Sequence, residues 1–184
     1  MSPRHSIIPA RPEDLDALPT VELSASELLR GYAPDSVLAE TTDAATFAEA
    51  QRHGRRWVAL AGNDPVGFAL VVMLSDDLPH LDELDVMPEH GRQGLGTALV
   101  RAVCDWVSRS GYPEVTLTTF RAVPWNMPWY VRLGFVEIPP TSVRPELAEV
   151  VAEETGRGME PETRVVMSYR CPRMGGAGRS TTRP

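Results

Sequence analysis

The chain has 184 residues, 42% hydrophobic and 23% charged, which suits one globular domain with a substantial core. Its 18 basic and 25 acidic residues give a net charge of −7, which argues against nucleic acid as a partner and mildly favours cationic ones. No apolar run approaches the roughly 18 residues of a membrane span, and the Met-Ser-Pro-Arg-His-Ser start lacks an apolar signal core, so no membrane and a cytoplasmic location are expected.

Ile7 to Ala10 reads as a short opening strand. Arg11-Pro12-Glu13-Asp14 then starts a helix, with proline and acids in its first turn. Leu15, Leu18, Val21, Ala25, Leu28 and Leu29 keep helical spacing, with Pro19 kinking or dividing the helix and Gly31 ending it. A second helix is expected from Ala44 to His53, with Asp43 as N-cap and Gly54 as stop. Trp57 to Ala61 and Val66 to Met73 form a hairpin around Gly62-Asn63-Asp64-Pro65. Leu81 to Val86 is the next strand, and His80 reads as a turn residue at its entrance. From Leu95, the residues Ala98, Leu99, Ala102, Val103, Trp106 and Val107 make an amphipathic stripe that stops at Ser110-Gly111.

Pro113 to Phe120 is a strand, a short helix follows Asn126, and Arg164 to Tyr169 is the last strand. Between them, Ile138 to Gly158 is rich in Pro and Glu, with one helical run from Glu146 to Glu154, and reads as a flap over the sheet. Strand, helix and strand at crossover spacing imply a parallel or mixed sheet covered by helices, a single α/β domain over 1–172. The polar, glycine-rich stretch 173–184 is expected to be a flexible tail. Cys104 and Cys171 show neither CxxC nor metal-ligand spacing, so both read as reduced thiols and no metal is expected.

The segment from Leu84 to Thr97 carries the chemistry. An apolar strand end runs into a basic, glycine-rich loop and then into the first turn of a helix. Such a loop lets backbone N–H groups converge at a helix N-terminus, where they can hold phosphate oxygens. A P-loop would end in Gly-Lys-Ser/Thr, which is missing. A dinucleotide fingerprint would place a third glycine where Leu99 stands, and a ribose-binding acid where neither Asp105 nor Glu114 is suitably placed. What remains is Gly91-x-x-Gly94-x-Gly96 followed by Thr97-Ala98-Leu99-Val100. It resembles the acetyl-CoA loop of the GNAT superfamily of N-acetyltransferases. A second block, Asn126-Met127-Pro128-Trp129-Tyr130 and then Leu133-Gly134-Phe135, is similar to the family's Asn-x-x-x-Tyr and Leu-Gly-Phe signature. The likeness spans Leu81 to Val136. One departure is Gly91, where the family usually has Gln or Arg, so a side-chain contact with the coenzyme is lost.

The resemblance implies a GNAT-like mixed central sheet flanked by helices and acetyl-CoA as co-substrate. It implies that Leu84, Asp85 and Val86 hold the pantetheine arm by strand-like main-chain pairing, with the Val86 N–H polarising the thioester carbonyl. Arg92, Gln93, Gly94, Leu95, Gly96 and Thr97 would cradle the pyrophosphate. Asn126 would bond the coenzyme arm or cap its helix, and Tyr130 would be the general acid, against the plain alternative of a core tyrosine packed on Trp106 or Phe135. For the general base Glu83 is chosen from Asp82, Glu83 and Asp85, with His80 a lesser candidate. Strict alternation puts Glu83 and Asp85 on one face and Asp82 on the other, unless a bulge intervenes. Trp125 and Trp129 line an acceptor pocket or belong to the core, and Trp57 belongs to the core.

The reading is therefore an acetyl-CoA-dependent N-acetyltransferase that moves acetyl to an amine by direct transfer in a ternary complex. Two rivals stay open: a non-catalytic acyl-CoA-binding module, and an acyltransferase with another donor or acceptor. The partner expected is an amine-bearing substrate, with a homodimer left open.

Overall fold

Seven strands form one mixed sheet in the order β1-β2-β3-β4-β5-β7-β6, and a computed structural model describes it over residues 5–171. The expected tail at 173–184, and the ends of the expected domain, lie outside the described residues. β1 (His5–Pro9), β2 (Arg56–Ala61), β3 (Asp64–Ser75) and β4 (Leu78–Val86) run antiparallel to one another. β5 (Glu114–Phe120) lies parallel to β4 and pairs along its whole length with antiparallel β7 (Arg164–Arg170), which carries the edge strand β6 (Val136–Glu137).

Alternation along the inner strands sends side chains to two cores. Trp57, Ala59, Ala69, Val71 and Leu81 pack beneath α4 (Leu95–Arg109), against its buried Leu99, Val103 and Val107. Val58, Leu60, Phe68 and Leu70 face the other way, against Leu18 and Val21 of α1 (Leu18–Ser26) and Phe47 of α3 (Ala44–Arg52). Arg56 shares that second face. It is 1% exposed, stacks 4.9 Å over the Phe47 ring, and has no hydrogen-bond partner among the described residues. Burial lowers its pKa to about 10, and Asp14 opposes this through space.

Several elements differ from expectation in instructive ways. The first helix opens as a 3-10 turn (Pro12–Ala17) and becomes α-helical at Leu18, so Pro19 falls in a first turn, where its missing N–H costs nothing. Asp43 caps α3 as expected, accepting from Ala45 N at 2.9 Å and Thr46 N at 3.0 Å. α2 (Asp35–Leu38) and β6 are too short to show a period in sequence. The helical run of the flap is α6 (Pro145–Gly156), whose Leu147 buries against Leu78 and Val166. A short α5 (Met127–Arg132) follows Asn126.

The decisive feature lies between β4 and β5. Their register holds one residue pair, His80 with Thr116, and beyond it the strands part. β5 stays with β7 as far as Phe120, so the β4 edge from Leu81 to Val86 borders an open wedge. β4 begins at Leu78, earlier than expected, which makes His80 a strand residue at the apex of this wedge and not a turn residue.

Candidate active site

The loop between β4 and α4 is shaped by its backbone. Gly94 is the N-cap of α4 with φ +82°, and Arg92 also sits in the left-handed region at φ +57°. No atom lies within 4 Å of where a Cβ on Gly94 would project, so the space before the helix is open. The first-turn N–H groups at Leu95, Gly96 and Thr97 lack intrahelical acceptors and, with the positive end of the helix dipole, face that space. Gly96 serves a different purpose, because a Cβ on it would lie 3.5 Å from the Trp129 ring. Trp129 therefore braces the loop from α5, a contact neither residue announces in sequence. Gly91 is extended (φ −62°, ψ 161°), and a Cβ there would stand 3.0 Å from the Pro88 carbonyl, so a larger residue at this position requires the loop to shift.

The wedge receives β4's free edge. Met87 N donates to Val66 O of β3 at 2.9 Å, so alternation turns the N–H of Val86, and that of Leu84, away from β3 and into the wedge. The side chains of Leu84 and Val86 pack on the α4 core. Those of Glu83 and Asp85 stand in register with Leu70 and Phe68, on the α1 face. The wedge thus joins the glycine-rich loop before α4 on one face to carboxylates on the other.

Tyr130 of α5 belongs to the α4-side core. Its ring is 8% exposed and packs edge-on against Phe135 at 5.4 Å and Trp129 at 4.8 Å. Trp106 packs on Trp57 and Tyr112 instead. Burial raises the phenol pKa, and Asp85 and then Glu83 raise it further, so the hydroxyl keeps its proton and is a donor. Tyr130 is both a core residue and a neighbour of the carboxylates.

A bulge changes the acid geometry. The β3–β4 register slips between Leu70 and Val71, leaving Asp82 as the extra residue between Leu81 and Glu83. Asp82 is consequently not on the opposite side from Glu83. Its carboxyl feels Glu154, Glu22 and Glu153 after the larger effect of crowding by protein, and its pKa is pushed up to about 6. Burial raises Glu83 well above the carboxylate range, and Asp85, Asp82 and Glu22 add to this while Arg157 opposes it. Asp85 is raised by burial and then by Glu22, and its buried Oδ2 has no hydrogen-bond partner among the described residues. An enclosed, unpartnered carboxyl oxygen favours the neutral acid at Asp85.

Glu22 was missing from the candidates. It is 7% exposed on α1, accepting from Thr42 N at 2.9 and 3.0 Å and from Thr42 Oγ1 at 3.0 Å. A signal existed, since Glu22 stands next to Val21 on the apolar stripe between Leu18 and Ala25. His80 is 1% exposed and its Nδ1 lies 2.9 Å from Thr116 Oγ1, whose own proton goes to Pro79 O at 3.3 Å. That chain makes Nδ1 the protonated nitrogen, and burial lowers the pKa to about 4. His80 fixes the apex of the wedge and is no base. Asn126 accepts with its main-chain oxygen from Trp129 N and Tyr130 N, and its side chain makes no capping bond. Trp125 is 46% exposed and meets Tyr32 edge-on at 5.9 Å.

Burial raises the Cys104 thiol to about 12 and the Cys171 thiol to about 11, so neither is a thiolate nucleophile. No group of three or more His, Cys, Asp or Glu side chains among the described residues is arranged to hold a metal ion. No helix among them is long and apolar enough to cross a membrane. A hollow of about 240 Å³ lined by Thr97, Arg101, Arg132 and Tyr169 opens beside the loop. A larger one, about 350 Å³ around Pro113 and Arg170, lies at the far end of β5, away from this site.

Known proteins carry the same pattern. Rat N-acetyltransferase 8F1 is 34% identical over 88 residues, which cover 45% of this chain and 40% of that protein. Rat N-acetyltransferase family 8 member 3 is 32% identical over 84 residues, 43% and 37% of the two chains, so the match spans about two fifths of these relatives' length. In structure, the chain is similar to the PaiA N-acetyltransferase of Thermoplasma acidophilum in complex with coenzyme A. That match has a TM-score of 0.68 and 14% identity, and covers 91% of this chain and 99% of that one. The ribosomal-protein-S18-alanine N-acetyltransferase of Escherichia coli superposes with a TM-score of 0.64 and 21% identity, over 95% and 97% of the two chains. These likenesses establish the fold. The acetyltransferase (GNAT) family profile matches residues 23–135, from the middle of α1 to the Leu-Gly-Phe block, and the chain belongs to that family.

Proposed function

We propose that this chain is an acetyl-CoA-dependent N-acetyltransferase acting by direct transfer to a primary amine. The observation that carries the reading is the wedge itself. Main-chain donors and the loop stand on the α4 side with the Tyr130 ring in that core, and Glu83 and Asp85 stand on the α1 side, close enough to raise the pKa of the phenol. The names of the rat relatives and the coenzyme A bound in the Thermoplasma neighbour support the same reading.

Acetyl-CoA supplies a thioester whose carbonyl carbon bonds to the amine nitrogen as its bond to sulfur breaks. Arg92 to Thr97 hold the pyrophosphate with backbone N–H groups and the Arg92 charge. Leu84 and Val86 position the pantetheine arm, and the Val86 N–H stabilises the negative charge growing on the carbonyl oxygen. A lysine-like ammonium with pKa about 10.4 lies over three units from neutrality at pH 7, which costs roughly 4–5 kcal/mol. Glu83 takes that proton, and its raised pKa suits the task. Tyr130 gives its proton to the departing sulfur and is recharged by the proton that nitrogen sheds as the amide forms. Each proton has an owner throughout.

The test is thiol release from acetyl-CoA against a panel of primary amines, combined with calorimetric titration of the coenzyme. Glu83→Gln should lower kcat/KM at pH 7 by about 10²-fold or more and recover much of it at high pH, where the amine is neutral unaided. A variant equally active at pH 7 would remove Glu83 as base.

A further inference from the structure

We propose that Arg164 is a positioning residue for Tyr130, acting through a buried clamp with Glu154 and Thr118 that fixes the end of β5 where β4 has left it. The proposal concerns the proton donor of the acetyl-transfer reading and rests on that reading.

A strand inside a sheet is held along both edges, but β5 is held along only one beyond Thr116. Past the pair with His80, β7 alone borders it, and the wedge lies on its other side. From Phe120 the chain continues through 121–126 to α5 and Tyr130. Whatever holds Thr118 and Phe120 therefore sets where the phenol stands against β4. Val115 and Leu117 enter the α4 core, so alternation turns Thr118 and Phe120 to the opposite face, where α6 lies. Three elements meet there. Glu154 of α6 accepts from Thr118 Oγ1 at 2.5 Å, and Arg164 of β7 donates to its Oε1 at 2.5 Å and Oε2 at 2.8 Å. Arg164 also donates to Thr118 Oγ1 at 3.3 Å and lies 4.4 Å from the centre of the Phe120 ring. Glu154 is 7% exposed and Arg164 is 9% exposed.

A forked guanidinium on a carboxylate, away from water, must keep its geometry or leave a buried charge unpaired, so the clamp is stiff. That stiffness passes along the chain. Arg121 N donates at 2.7 Å to the carbonyl of Thr163, the residue before Arg164, and Val123 is buried with Phe120 and Met159. Asn126 N donates to Val123 O at 3.0 Å, and Tyr130 N to Asn126 O at 3.0 Å. Each link from Arg164 to Tyr130 is thus a hydrogen bond or a buried contact. Arg164 also carries a positive charge that reaches the phenol, where it opposes the rise caused by burial, Asp85 and Glu83. When Tyr130 passes its proton to the departing sulfur, that charge stabilises the phenolate left behind.

The experiment uses the full chain with 3-fluorotyrosine in place of tyrosine and reads fluorine NMR, the Tyr130 signal being assigned by its loss in Tyr130→Phe. Arg164→Lys keeps the charge and loses the fork, Thr118→Val removes one hydroxyl, and Thr118→Ser keeps it. We expect the Tyr130 signal to move in Arg164→Lys and Thr118→Val, to stay in Thr118→Ser, and Tyr112 to be unaffected throughout. With acetyl-CoA and the fastest primary amine of the panel above, Arg164→Lys should lower kcat about tenfold while the KM for acetyl-CoA stays within about 3-fold. In a Tyr130→Phe background the same change should alter kcat by less than about 2-fold, because the hydroxyl it acts through is gone. A loss that persists in full in that background overturns the proposal and leaves acetyl transfer standing. So does an unmoved Tyr130 signal in the folded variants. If Arg164→Lys fails to fold, the contrast between Thr118→Val and Thr118→Ser decides by the same two measurements. A protein that acetylates no amine overturns the acetyl-transfer reading, and the fluorine signal alone then decides whether the clamp positions the ring.

Discussion

On the α4 side of β4, Leu84 and Val86 enter the core and a continuous loop offers backbone N–H groups to an anion. On the α1 side, Glu83 and Asp85 meet Asp82 across a bulge and Glu22 from a helix some sixty residues earlier in sequence. On the proposed reading the first face recognises its ligand through the main chain, which every sequence has, and asks only for glycines and a helix N-terminus. The second presents side chains drawn from separate elements, whose charges perturb one another. Coenzyme binding should therefore be robust to most side-chain changes and sensitive to backbone ones, and acceptor chemistry the reverse.

Tyr130 stands where the faces meet and gives the sharpest test. Tyr130→Phe removes one hydroxyl and keeps the ring among Trp129 and Phe135, so turnover should fall by about 10²–10³-fold while the acetyl-CoA Kd stays within a few-fold. Stopped assays and calorimetry on the same sample would show it. Unchanged turnover with intact binding would make Tyr130 a core residue alone and raise the standing of a non-catalytic coenzyme-binding module.

His80 tests the apex. Its folded pKa of about 4 lies below the unfolded value of 6.5, so the unfolded chain binds the extra proton first. The contribution is therefore intact above about pH 6.5 and lost as pH falls towards 4, by about 3 kcal/mol. The stability difference between wild type and His80→Gln, measured by denaturant titration across this range, should carry that slope. A flat difference would place His80 in contact with solvent.

Gly94→Val should break the coenzyme face without touching the acceptor face. A branched residue at φ +82° is strained by about 1–2 kcal/mol and projects into the open space before α4, so acetyl-CoA affinity should drop by at least about 30-fold. Full affinity in a folded variant would put the phosphates elsewhere.

Asp85→Asn gives the smallest effect and the most telling sign. A carboxyl whose folded pKa is raised costs stability once pH exceeds the unfolded value near 4, and the full cost is present above the folded value. Asp85→Asn should thus raise Tm at pH 8, by an amount equivalent to about 1 kcal/mol, and leave it unchanged near pH 4. A lower Tm at pH 8 would mean that Asp85 has a cationic partner in the folded protein.

The loop, α4 and α5 were legible because their determinants are contiguous. Gly91 to Thr97, the stripe from Leu95 to Val107 and the Asn126 to Phe135 block each report a local conformation, and the structure assembles them as expected. The Asp43 cap and the β2–β3 hairpin follow the same logic. The acceptor face was only half legible. Glu83 and Asp85 share a face by alternation, but the bulge at Asp82 depends on β3 registering with β4, and nothing in Leu81-Asp82-Glu83 encodes it. His80 was expected as a turn residue at the entrance of the strand, while tertiary pairing with Thr116 buries it. Arg56 opens a strand as an ordinary polar residue would, and only the packing of α3 over it makes it a buried cation on Phe47.

By itself the sequence determined the order of elements, the family and the glycine-rich turn into α4, because each is written in residues near one another along the chain. Tertiary structure decided where β4 leaves β5 and that Glu22 of α1 joins the acids of β4 in one field. The physical reason is range. Backbone conformation and helix capping are set within a few residues, whereas desolvation and charge coupling depend on whatever the fold brings within reach.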